Sequence, residues 1–272
     1  MSSLPLLGAA MPLHVLESLR DWLIADQRDL ELQDFTMPEV LNGDWMPLVE
    51  QARKLLDGYS GRLGIHGPFM GLNIANRDPE IRDVVSKRLL QGLAVCEALG
   101  ANQMVIHSPF SSWDCNNFEN FVGTRDEMFE RTHLTLAAAV KRAESIGVTM
   151  VVENIEDKDP DLRCDLVDSF NSTALAISID TGHAHYAHRS TGAPPSDFYV
   201  NRAGSRLQHV HIQDADGYAD RHWRPGRGTI CWQGVFMALA RLPHSPRLIL
   251  ELKDHSQILP AVAYLNAEGW AR

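Results

Sequence analysis

Cysteine is sparse: Cys96, Cys115, Cys164 and Cys231 are scattered through 272 residues, and none belongs to a Cys-x-x-Cys pair. That spacing supplies neither the paired thiolates of a zinc ribbon nor a small secreted disulfide framework, so reduced thiols in a cytoplasm are the expectation. Positive charge is also short, with 25 Lys and Arg against 35 Asp and Glu and a formal charge of -10. Such a chain repels polyanions at long range and has no broad basic footprint for a duplex, which disfavours nucleic acid as a partner. No apolar run approaches the ~20 residues that span a bilayer, so no membrane span is expected. The opening MSSLPLLGAAMPL is apolar, but no Lys or Arg precedes it and two prolines interrupt it. It reads as a first strand and loop instead of a secretory leader. No Gly-x-Gly-x-x-Gly turn follows an apolar run, which weighs against a doubly wound sheet.

What recurs is a short run of aliphatic and β-branched residues: LLGAAM near 6, LELQDF near 30, LGIHGPF near 63 and QMVIHSPF near 103, then TMVVENI near 149, LAISIDTGH near 175, LQHVHIQD near 207 and RLILELK near 247. Helical periods lie between them. Asp78-Pro79 supplies an N-cap and a first-turn proline, Ile81, Val84, Val85, Leu89, Cys96 and Leu99 repeat at three-to-four spacing, and Gly100 stops the run. A second helical segment runs from Asp126 to Gly147. Strands apolar on both faces, alternating with helices, predict a parallel sheet covered by helices. Eight such units predict a (β/α)8 TIM barrel as a single domain over residues 1–272, with STGAPPSD (190–197) as a loop within it.

In that architecture the chemistry gathers at the C-terminal ends of the strands. The polar residues met there are His66, His107, Glu153, Asp180 with His183, His211 and Glu251. Taken singly, a buried histidine is more often a hydrogen-bonded core residue than a ligand, and a buried carboxylate more often half of a salt bridge. Recurrence at equivalent strand ends is what those readings do not account for. Burying one unpaired carboxylate costs several kcal/mol, so three of them with several imidazoles in one mouth call for a cation. Oxygen and imidazole donors without thiolate suit Zn, Mn, Co or Mg. In LQHVHIQDADGYADRH (207–222), His209 and His211 share a strand face, with His211 at the mouth and His209 a layer deeper, as a packing or supporting residue. Asp220 and His222 fall in the loop beyond, as a further ligand pair. Phe69, Phe110, Trp113 and Trp223 are placed to line the mouth, and Arg221, Arg224 and Arg227 give the next loop a phosphate-gripping composition.

The series HGPF, IHSPF, VVEN, DTGH, HVHIQD, DRH, PGRG and ELK, in that order from about residue 60 to 253, resembles the xylose isomerase-like TIM barrel superfamily. The resemblance implies a divalent metal on Glu153, Asp180, His211 and Glu251, with His183 touching substrate. The endonuclease IV type of that superfamily uses a larger set for three zinc ions, and it finds matches here too: His66, His107 and Glu153; Glu153, Asp180, His211 and Glu251; His183, Asp220 and His222. It also implies a barrel that often pairs as a homodimer.

The leading expectation is a metal-dependent isomerase or epimerase of a small sugar or sugar phosphate, with Glu153, Glu251 and His183 as its catalytic groups. The alternative is an endonuclease IV-like zinc phosphodiester hydrolase. A binding protein that lost turnover is the third reading, and the mouth carboxylates such a protein would have shed are all present.

Overall fold

The computed structural model describes residues 4–272. Eight parallel strands close into a barrel in sequence order: β1 (Leu7–Met11), β2 (Leu30–Leu32), β3 (Leu63–His66), β4 (Gln103–His107), β5 (Thr149–Glu153), β6 (Leu175–Asp180), β7 (Leu207–Ile212) and β8 (Arg247–Leu250). β8 closes the ring on β1 through Leu7↔Leu248 and Ala9↔Leu250. The chain is a (β/α)8 barrel, and each expected strand lies where its aliphatic run is. One face of every strand fills the barrel and the other meets a helix, which is why β1, β2, β3, β6 and β8 are buried at every residue.

Local signals set the helix bounds. Asp78 caps the helix Pro79–Leu99 by accepting from Glu80 N at 2.8 Å, and Gly100 ends it at φ 72°. Its buried row is Val85, Leu89, Leu93 and Cys96, whereas Ile81 and Val84, expected on that row, are 43% and 47% exposed. The first turn is left to solvent, so the apolar period there does not mark the core. The next long helix, Thr124–Ile146, begins two residues before Asp126, behind Gly123 at φ 86°. Asp126 and Glu127 thus sit in its first turn, where the helix dipole favours acid. STGAPPSD is split between the end of helix Thr181–Thr191, a short loop, and the start of helix Ser196–Ala203.

TIM barrel interiors are normally filled by branched aliphatic side chains. Here Val105, Val151 and Ala176 form only a small apolar cluster of their own, while Glu31, Glu153, Ser178, Asp180, His209 and His211 are all buried. The four cysteines are free. Among the described residues no helix is long and apolar enough to cross a membrane.

Backbones crowd where β1 passes the approach to β2. A Cβ on Gly8 would lie 2.1 Å from Asp29 O, and Ala9 N already donates to that carbonyl. Gly8→Ala is therefore expected to lower stability by about 1–3 kcal/mol in urea unfolding; an unchanged midpoint would contradict this packing.

Candidate metal centre

Glu153 ends β5, Asp180 ends β6, His211 lies near the end of β7 and Glu251 directly follows β8. Each offers one donor atom, and the four atoms lie within 4.8 Å of one another. His211 Nδ1 is 2.9 Å from Glu153 Oε1 and 3.3 Å from Glu251 Oε2. Asp180 caps the helix Thr181–Thr191, its Oδ1 accepting from His183 N at 2.6 Å. Two carboxylate oxygens in this group, Glu153 Oε2 and Asp180 Oδ2, are buried without a hydrogen-bond partner. Oxygens in that position fit a cation, since an unpaired buried carboxylate oxygen is otherwise costly.

Two trios flank this group. His66 Nε2 and His107 Nε2 lie 3.8 and 3.6 Å from Glu153 Oε2, too far for hydrogen bonds. His66 Nδ1 is tied to Gly67 O at 2.9 Å, which turns Nε2 inward. On the other side His183 Nδ1 donates to Asn154 O at 3.0 Å, leaving Nε2 3.4 Å from Asp220 Oδ2. His222 Nε2 approaches the same oxygen at 3.1 Å. Glu153 joins two sets, Oε1 facing His211 and Oε2 facing His66 and His107. Above them opens a cavity of about 490 Å³, walled in part by Gln33, Phe69, His107, His183 and Glu251.

The carboxylates and imidazoles of the cluster shift one another in opposite directions. Burial opposes ionisation of Glu153, but His211 and His66 hold it well below the usual carboxylate range. Burial pushes Asp180 up to about 6 against the pull of His183. Burial would lower His211 and His183, yet Glu251, Glu31 and Glu153 around the first, and Asp180 and Asp220 around the second, hold both well above the ordinary histidine value. His222 is raised to about 9 against its burial by Asp220 and Glu251, while burial drives His107 down to about 3.

The nine ligand candidates read from the sequence thus enter one continuous cluster. Among the residues of that neighbourhood that were not foreseen are Glu31 and Gln213. Glu31, in the middle of β2, places Oε1 3.1 Å from His211 Nε2. Gln213, fully buried, donates from Nε2 to Asp180 Oδ1 at 3.0 Å and Asp220 Oδ1 at 3.1 Å, and accepts from His222 N at 3.1 Å. It fastens the loop to the strand ends and holds His222 at φ 47°, a left-handed conformation that non-glycine residues rarely adopt. Gly182 permits this, since a Cβ there would fall 2.2 Å from the Gln213 amide.

The aromatic expectations divide. Phe69 lines the cavity and stacks on His107 at 4.5 Å. Phe110 is instead buried in a separate cluster with Met128 and Leu166. Trp113 is 59% exposed and stacks on Phe121, and the guanidiniums of Arg221 and Arg227 both approach the Trp223 ring. His185 and His188 bond to Thr229 Oγ1 and Ala193 O, outside the cluster.

A closed parallel barrel with acidic and imidazole groups gathered at its strand ends defines a class of (β/α)8 proteins whose chemistry sits in that mouth. The chain belongs to the xylose isomerase-like TIM barrel family, whose model matches residues 28–272. A protein of Thermus thermophilus, TTHB071, solved after soaking with ZnCl2, is 26% identical and superposes with a TM-score of 0.72 over 98% of this chain and 99% of its own. A fructoselysine 3-epimerase of Escherichia coli O157:H7 is 30% identical over 100 residues, 35% of each chain. A D-psicose 3-epimerase of Ruminiclostridium cellulolyticum is 23% identical over 68% of this chain and 61% of its own. The chain is thus similar, over part of its length, to two proteins named as sugar epimerases.

Gln213→Leu removes three side-chain hydrogen bonds, one buried and two partly buried, at nearly constant volume. It is expected to cost about 1–3 kcal/mol in urea unfolding of the metal-free protein; full stability would show that Gln213 does not anchor the loop.

Proposed function

We propose that the protein is a divalent-metal-dependent epimerase or isomerase of a small sugar, moving a proton on the carbon beside a carbonyl. The observation that carries this reading is the convergence of Glu153, Asp180, His211 and Glu251 within 4.8 Å, with two carboxylate oxygens unpartnered, at the floor of a sugar-sized cavity. Those four side chains would hold the ion, with Zn, Mn, Co and Mg all compatible with the donors. When bound, such an ion acts as a Lewis acid toward a carbonyl and its neighbouring hydroxyl.

The chain's own groups do the rest. Glu153 and Glu251 approach His211 from different strands, so a substrate seated above His211 meets a carboxylate from each. A carboxylate that ligates through one oxygen keeps the other for proton transfer. In Glu251 that second oxygen, Oε1, is oriented by Gln33 Nε2 at 2.9 Å. His183, fixed through Nδ1, presents Nε2 toward the cavity to orient a substrate oxygen. The fructoselysine and D-psicose epimerases among the relatives support the reaction class. Within the arginine-bearing loop, Arg221 pairs with Asp216 at 3.0 Å and Arg227 lies over Trp223, so these guanidiniums are engaged locally, which favours an unphosphorylated sugar.

A phosphodiester hydrolase is the second reading, favoured by the two extra trios, His66 with His107 and Glu153, and His183 with Asp220 and His222. The formal charge of -10 opposes it, because duplex binding rests on many phosphate contacts.

Counting metal per chain by elemental analysis separates the readings: one or two ions with deuterium uptake from heavy water into a ketose is the expected result. Three ions with cleavage of an abasic-site duplex and no exchange would overturn the epimerase. Glu153→Gln is expected to abolish exchange while leaving the barrel folded by circular dichroism, and retained exchange would remove Glu153 from the reaction. Against its burial, the carboxylates around His211 hold it well above the ordinary histidine value, and a ligating Nδ1 must be free of its proton, so ion binding must displace a proton there. Affinity should fall as pH is lowered, by about tenfold per pH unit for each proton displaced, as titration calorimetry in several buffers would report.

A further inference from the structure

His211 is contacted at both ring nitrogens. Nδ1 faces Glu153 and Glu251 in the mouth, and Nε2 faces Glu31 inside the barrel, 3.1 Å from Oε1 and 3.3 Å from Oε2. Glu31 is 2% exposed, and its register partners across the sheet, Ala10 and Gly64, bring no competing donor. Its other close contact is His209 Nε2, at 3.0 Å from Oε2. His209 is held in turn by Ser178 Oγ at Nδ1, 2.8 Å, and its ring stands edge-on to His211 with centroids 4.5 Å apart. Glu31 is thus pinned where it receives a proton-bearing Nε2.

We infer that Glu31 is a positioning residue that holds His211 in the tautomer protonated at Nε2, leaving the Nδ1 lone pair directed at the cation that Glu153, Asp180 and Glu251 would share. A neutral imidazole donates through one nitrogen and accepts through the other, so the partner on one side fixes what the other side can do. An ionised carboxylate can only accept, and it therefore requires the proton on the nitrogen facing it. A carboxylate behind a ligating histidine also makes the imidazole a stronger donor to metal. The trio Glu31, His209 and His211 has the residue types of an ion site itself. An ion there, with His211 Nδ1 also ligating, would require that imidazole to lose both of its protons. The hydrogen-bonded arrangement avoids that cost.

This inference rests on the metal-site reading and not on the reaction catalysed. Its test is zinc binding to wild type and Glu31→Gln, by chelator competition, with nitrogen-15 spectra of the histidines in the zinc-loaded proteins. The wild type is expected to show His211 protonated at Nε2. Glu31→Gln, whose amide can offer N–H to that nitrogen and so favour the wrong tautomer, is expected to bind zinc about 10–100-fold more weakly with the same number of ions per chain. Wild-type His211 carrying its proton on Nδ1 would overturn the inference even if the variant failed to fold. Binding by Glu31→Gln within about twofold of wild type would overturn it too, as measured against the usual effect of such partners. Loss of one ion per chain in the variant would instead make the trio an ion site. A wild type that binds no zinc would bring down the metal-site reading as well, whereas tight binding by both proteins defeats this inference alone.

Discussion

The structure depends on how charge is balanced inside the barrel. Glu31, Glu153, Asp180 and Glu251 are all at most 8% exposed, and no lysine or arginine is paired with any of them among the described residues. An ionised carboxylate in such a place costs several kcal/mol unless an opposite charge or several donors meet it. Against their burial, the carboxylates hold His211 and His183 well above the ordinary histidine value, and a divalent ion bound among them would compensate the same oxygens. On the proposed reading, protons and a metal ion compete for the same side chains.

The barrel makes such a concentration of charge tolerable. A closed sheet has no edge and every backbone group in it is paired, so the strand ends are fixed points from which side chains converge. Hydrogen bonds from neighbouring groups then aim each donor: Asn154 fixes His183, Gly67 O turns His66, Gln33 holds Glu251, and Gln213 ties the loop bearing Asp220 and His222 to Asp180. The strained His222 backbone is the visible cost of bringing a loop residue onto the strand ends.

The fold was legible because its signals are local and repeated. Each strand is an aliphatic run with helix punctuation on either side, and polar residues at the ends of β3 to β8 stood out against apolar neighbours. The misses share a cause in the third dimension. Glu31 sits in mid-strand, where reading strand ends alone passes over it, though an acid between two leucines in LEL was a signal of burial with a partner. Gln213 binds no ion and so matched no ligand pattern, yet only a side chain that both donates and accepts can bridge Asp180, Asp220 and the His222 amide. Phe110 follows a strand end in the chain but turns toward Met128 and Leu166, because the direction taken by a loop is not written in residue spacing. Ile81 and Val84 keep the helical period beyond the reach of the core.

The central claim is spatial, and anomalous diffraction from crystals of the zinc-loaded protein tests it most directly. The account requires a zinc peak about 2.0–2.3 Å from His211 Nδ1 and from oxygens of Glu153, Asp180 and Glu251. Zinc bound elsewhere with these four side chains turned apart would contradict it.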